Sequence, residues 1–134
     1  MSPVYMLDTN ISSAAIRGNP QVSAKLDALP QTAWCVSAVT VAEHIYGITK
    51  RPQATTLAKL VRAFVQVAQV LPWDQAAAEQ QGELRADLES KGTPIHEYDL
   101  LIAAHTLSEQ LILVSNNVKH FQRVPGLVVE DWLR

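Results

Sequence analysis

Leu111-Ile112-Leu113-Val114-Ser115-Asn116-Asn117 is the stretch that decides the fold. Four apolar residues run together and break off at a polar turn. A strand open to water on one face alternates apolar and polar side chains; an unbroken apolar run suits a strand covered on both faces. Shorter runs of the same kind recur along the chain. Val4-Tyr5-Met6-Leu7 stops at Asp8, Trp34-Cys35-Val36 at Ser37 and Val70-Leu71 at Pro72, and Leu127-Val128-Val129 closes the series.

Between these runs the period is helical. Leu57, Leu60, Val61, Phe64 and Ala68 follow the spacing of one buried stripe, with Pro52 in the first turn of that helix. Asp74 suits the N-cap of the next helix, which turns Leu84 and Leu88 inward and Glu83, Arg85, Asp87 and Glu89 outward. Gly92 ends it, and Pro94 prevents it from resuming. The segment from Leu100 to Ala104 is apolar on every side, which marks a central helix. The alternation predicts an α/β fold: a mostly parallel five-stranded sheet with helices on both faces, residues 1–134 forming one domain.

Composition narrows the function classes. The chain has 134 residues, 48% apolar and 18% charged, which excludes a disordered chain or a coiled coil. A net charge of -2 argues against a protein that coats nucleic acid by charge alone. Cys35 is the single cysteine, so no internal disulfide or Cys-rich zinc site is expected; in a strand it reads as an inert buried thiol. No apolar run approaches the roughly 18 residues of a membrane helix. Met1-Ser2-Pro3 lacks the pattern of a secretory leader, so the cytoplasm is the expected compartment. His44, His96, His105 and His120 lack zinc-site spacing, and His105 reads as a hydrogen-bonded core residue. The sequence holds no nucleophile elbow and no glycine-rich nucleotide loop.

In a sheet covered by helices on both sides, ligands bind at the carboxyl ends of the strands. Asp8 stands at one such end and Ser115-Asn116-Asn117 at another; Glu43 lies in the helix after the Trp34 run, and Asp99 opens the apolar helix. Clustered carboxylates repel one another unless protonated or paired. A hard divalent cation, Mg²⁺ or Mn²⁺, removes that cost and favours phosphate oxygens, which is the chemistry of phosphodiester hydrolysis. Each acid also has a structural reading. Asp8 suits a helix cap, Thr40-Val41-Ala42-Glu43 fits a capping box, Asp99 complements a helix N-terminus and Asn116-Asn117 forms an ordinary turn.

Met6-Leu7-Asp8-Thr9-Asn10, Thr40-Val41-Ala42-Glu43 with Ile45-Tyr46-Gly47, and Tyr98-Asp99-Leu100-Leu101-Ile102-Ala103-Ala104-His105 resemble, in order, three signatures of PIN-domain ribonucleases. Leu113-Val114-Ser115-Asn116-Asn117 and Phe121-Gln122-Arg123-Val124-Pro125-Gly126-Leu127 resemble the C-terminal signature. The ordered set spans almost the whole chain and looks most like the VapC toxin branch of type II toxin–antitoxin modules. The resemblance implies a three-layer PIN fold and a magnesium-dependent endoribonuclease, with Mn²⁺ as a substitute. It further implies a VapB-type antitoxin, a homodimer and an RNA substrate, with initiator tRNA cut in its anticodon loop as the leading expectation.

By residue matching, Asp8, Glu43 and Asp99 become the catalytic, metal-binding acids. Thr9, Ser115, Asn116 and Asn117 become donors that orient carboxylates or a phosphate. The family often has a fourth acid after the last long strand; here Asn117 and His120 occupy that region, and Glu97 is the other acid nearby. Two alternatives stand beside the enzyme: a PIN-fold binding module without activity, and a phosphoacceptor receiver domain, which needs an Asp ending a middle strand.

Overall fold

The computed structural model describes residues 3–134; Met1 and Ser2, part of the stretch that bears on a leader, lie outside the described residues. The chain runs β1 (Tyr5–Leu7), α1 (Thr9–Ile16), α2 (Pro20–Asp27), β2 (Trp34–Ser37), α3 (Ala38–Thr49) and α4 (Thr55–Val67). It continues β3 (Val70–Leu71), α5 (Gln75–Ser90), α6 (Glu97–Ser108), β4 (Ile112–Val114), α7 (Val118–Phe121) and β5 (Val129–Glu130).

The five strands form one sheet in the order β3-β2-β1-β4-β5. Every pairing is parallel, with Met6 beside Cys35 on one side and beside Leu113 on the other. The expected sheet was mostly parallel; it is entirely so, because helices separate each strand from the next.

Alternation along the strands sorts the core into two layers. Leu7, Val36 and Val114 pack with Ile11 of α1, Val22 of α2 and Phe64 of α4. Leu113 turns to the opposite face, where Leu84 and Leu88 of α5, Ile102 and Ala103 of α6, and Phe121 form a second cluster. The expected central helix is α6: Leu100, Ile102, Ala103, Ala104, His105 and Thr106 are all buried. Asp74 caps α5 by accepting from the Ala77 amide at 3.1 Å. Gly92 takes φ of +71° just past the end of α5, a left-handed turn that glycine adopts without strain. Among the described residues, no helix is long and apolar enough to cross a membrane.

Three local expectations need correction. Pro52 lies outside α4, which begins at Thr55. It sits in a turn closed by the Ala54 amide donating to the Arg51 carbonyl at 3.0 Å, where the fixed proline φ suits the second turn position. The α4 stripe is narrower than expected: Val61 is buried, but Leu60 is 46% exposed, because it falls at the edge of the face that meets α3 and α1. The last strand is Val129–Glu130 rather than the Leu127-Val128-Val129 run, and Val128 is exposed. There β5 pairs Val129 with Leu113 and Glu130 with Val114.

Candidate active site

β1 lies at the centre of the sheet, so the residue after it stands at the middle of the strand-end rim. That residue is Asp8, only 5% exposed. Its Oδ1 accepts from the Thr9 amide at 2.8 Å and caps α1. Its Oδ2 accepts from the Ser115 hydroxyl at 2.8 Å and from the Asn10 amide group at 3.4 Å. The cap expected of Asp8 therefore forms, and the same carboxylate also binds a donor from the end of the neighbouring strand β4. Burial pushes the Asp8 carboxyl from 3.8 up to about 6; hydrogen bonds from Ser115 and Thr9 oppose that, and the charges of Asp99 and Glu43 add to it.

Glu43 reaches the rim from α3. Ser37 caps that helix by accepting from the Val39 amide at 3.1 Å. The capping box expected from Thr40 to Glu43 therefore does not form, since Thr40 lies inside the helix. The Glu43 carboxylate is instead free to accept from the Thr9 hydroxyl at 2.6 Å. Thr9 thus serves two acids: its amide holds Asp8 and its side chain holds Glu43.

Asp99 lies in the first turn of α6, its side chain 21% exposed. Its Oδ2 accepts from the Asn117 side-chain amide at 3.5 Å and stands 3.5 Å from His120 Nδ1. Asn117 and His120 also contact each other at 2.8 Å. The Ser115 hydroxyl accepts from the Asn117 backbone amide at 3.0 Å, so the loop after β4 links Asp8 to the surroundings of Asp99. Asn116 is exposed, and its backbone amide donates to Asn10 Oδ1 at 3.4 Å. Glu97, two residues earlier in the same turn, is exposed and makes none of these contacts.

Sequence reasoning missed Asn10. It bridges the Asp8 carboxylate, the Ser115 hydroxyl and the Asn116 amide. The available signal was an Asn two residues after an Asp at a strand end. It also missed the buried pair of Ser12 Oγ and His44 Nε2, 2.7 Å apart, which braces α1 against α3 beneath Thr9 and Glu43.

The three acids thus face one rim, and Asp8 feels the charges of Asp99 and Glu43. Among the described residues, no three Asp, Glu, His or Cys side chains stand close enough together to hold a metal ion. The donor set is carboxylate oxygen backed by hydroxyl and amide groups, which fits a hard divalent cation and not zinc or copper. Its repulsive charge on Asp8 is the kind a cation relieves. The receiver alternative also needs a lysine directly after a late strand, and β4 is followed there by Ser115-Asn116-Asn117.

Comparison with known proteins places this arrangement in context. The PIN domain family profile matches residues 5–127. A tRNA(fMet)-specific endonuclease VapC from Salmonella typhimurium is 38% identical over 128 residues, covering 96% of this chain and 97% of that protein. A crystal structure of DNA-bound VapBC from Salmonella typhimurium superposes with a TM-score of 0.91 at 37% identity, covering 97% of this chain and 98% of the other. VapBC2 from Rickettsia felis, bound to a DNA fragment from its promoter, superposes with a TM-score of 0.88 at 34% identity, covering 96% and 98%.

Proposed function

The chain belongs to the PIN-domain family, and on that premise we propose that it is a divalent-metal-dependent endoribonuclease, the toxin of a toxin–antitoxin pair. The observation that carries this reading is the Asp8 carboxylate at the centre of the rim, whose ionised form is disfavoured first by burial and then by the charges of Asp99 and Glu43. Asp8, Glu43 and Asp99 would hold the cation, with Mg²⁺ the expected ion and Mn²⁺ a substitute. When bound, the cation supplies Lewis acidity toward water and toward the phosphoryl oxygens of the substrate.

The chain's own residues prepare the site. Ser115 and the Thr9 amide fix the two oxygens of Asp8, so its orientation is set before substrate arrives. The Thr9 hydroxyl fixes Glu43. Asn117 and His120 bracket Asp99 and present nitrogen donors where a phosphate would approach. Asn116 adds an exposed amide to that edge. In this reading water attacks phosphorus and the 3′ oxygen leaves with a proton, so products carry a 5′-phosphate and a 3′-hydroxyl.

The substrate we propose is RNA, with initiator tRNA the first to test, because a relative at 38% identity is a tRNA(fMet)-specific endonuclease. The VapBC complexes of the relatives support a VapB-type antitoxin partner. An acidic rim suits inhibition by a basic antitoxin side chain inserted where the cation would sit. We further propose that residues 1–134 act as one domain, in a homodimer, in the cytoplasm. Digestion of total RNA with and without Mg²⁺, followed by mapping of the new 5′ ends, tests the reading. Cleavage that requires the cation and stops with EDTA is expected; a metal-loaded protein that leaves all RNA intact points to the inactive binding module, for which the uncharged Asn117 is the supporting feature.

A further inference from the structure

Beside the acids, between α1, α3 and α4, lies a hollow of about 300 Å³ that shares Thr9 and Glu43 with the candidate active site. Its floor is apolar: Ile16, Ile48 and Val61 form a separate hydrophobic cluster, with Leu57 packed against it. Its rim is basic, carrying Arg17 from the end of α1 and Lys50 and Arg51 from the turn after α3. Among the described residues, none of these three cations forms a salt bridge with a carboxylate. Tyr46 stands on the same rim, 64% exposed, with the Lys50 ammonium 4.9 Å from its ring centroid.

An aromatic ring, an apolar floor and unpaired cations are the parts that bind one unpaired nucleotide: the base stacks, and the cations take the flanking phosphates. None of the three features alone distinguishes this hollow from ordinary surface; their joint placement against Glu43 does. We propose that the hollow is a subsite for a single-stranded RNA nucleotide adjacent to the scissile phosphate, with Tyr46 stacking its base and Arg17, Lys50 and Arg51 binding its backbone. The inference rests on the ribonuclease reading above and adds the side chains that would hold an unpaired nucleotide beside the acids. A duplex keeps its bases stacked inside and offers no free face to Tyr46, so the subsite selects loops and unpaired segments. Net charge does not oppose this: the molecule carries -2 overall, yet this rim has three cations against the one acid of the hollow, Glu43.

The test measures binding and cleavage side by side. Binding of a short, unstructured fluorescent oligoribonucleotide is followed by anisotropy in EDTA, across a salt series, with a blunt duplex of the same sequence as the control. Tyr46→Ala should weaken single-strand binding roughly tenfold and Tyr46→Phe should leave it near the parent value, as stacking on an exposed ring requires. Arg17→Gln, Lys50→Gln and Arg51→Gln should each lower the slope of log affinity against log salt by about 0.7. Duplex binding should be weaker and indifferent to Tyr46. A parent protein that cleaves RNA while all these variants bind single strands unchanged overturns the subsite and leaves the nuclease reading standing. Loss of assembly with a partner protein, with RNA binding unaltered, overturns it in favour of a protein interface. A parent that neither binds nor cleaves RNA overturns both.

Discussion

The Thr9 hydroxyl donates to Glu43 Oε1 at 2.6 Å, joining the first turn of α1 to the middle of α3 across 34 positions of sequence. Thr9 has no titratable group and makes no direct claim on substrate, so its effect is one of orientation. Thr9→Val removes the donor and keeps the shape. We expect cleavage to fall about 10- to 100-fold while the melting temperature changes little, and Thr9→Ser to restore most of the activity. Equal rates for Thr9→Val and the parent would separate Glu43 from the chemistry.

Asp99→Asn keeps the size of the side chain and its contact with Asn117, but removes the charge. Cleavage should drop more than about 100-fold with the circular dichroism spectrum unchanged. An active, folded Asp99→Asn protein would refute the role proposed for that carboxylate.

Asp8 gives the metal-free protein a pH dependence whose sign can be stated. Its carboxyl titrates at 3.8 in the unfolded chain and at about 6 in the folded one. Between those values the folded protein holds a proton that the unfolded chain has lost, so this contribution to stability is full below 3.8 and disappears as pH rises through about 6. The total is roughly 3 kcal/mol, an upper figure since other groups relax. In EDTA, the parent should melt lower at about pH 7 than at about pH 4 on account of this group, and Asp8→Asn should flatten that part of the profile while abolishing cleavage.

Divalent cations should act on the same balance. At a hundredfold excess over the dissociation constant, Mg²⁺ or Mn²⁺ should stabilise the folded parent by about 2.7 kcal/mol at neutral pH. Asp8→Asn and Asp99→Asn should lose most of that gain. Thermal scans with and without the ion report it independently of activity.

Ser37 has two partners: the Val39 amide at 3.1 Å, which starts α3, and His105 Nδ1 at 2.8 Å. Burial holds His105 below the usual histidine value, and the Ser37 hydroxyl is the partner of its buried Nδ1. Ser37→Ala removes a helix cap and leaves a buried ring nitrogen unpaired, which should cost about 1–3 kcal/mol in urea denaturation with the slope unchanged. Because α3 carries Glu43, cleavage should fall as well.

Much of this arrangement is legible in the sequence, for physical reasons. Continuous apolar runs around Leu7, Val36 and Val114 reveal strands covered on both faces, and all three are buried. The acids at Asp8, Glu43 and Asp99 stand out because strand topology assigns them to one rim. What stays hidden depends on tertiary context. Pro52 suits a helix start and a turn equally, and only the hydrogen bond between Ala54 and Arg51 selects the turn. The capping-box pattern at Thr40 is real as a pattern, but β2 runs one residue farther and gives the cap to Ser37. Leu60 keeps the helical period and still faces outward, because the period fixes a face and not its width. Asn10 carries only the weak signal of an Asn two residues after a strand-end Asp, and the pair of Ser12 and His44 carries none, since those two are 32 positions apart in sequence.

The bond between Ser115 and Asp8 spans 107 positions. It joins the first strand to the fourth, so a growing polypeptide has no assembled centre until β4 has left the ribosome and inserted beside β1. A polypeptide interrupted before that point lacks the hydroxyl that holds Asp8 Oδ2 and the strand that seats it.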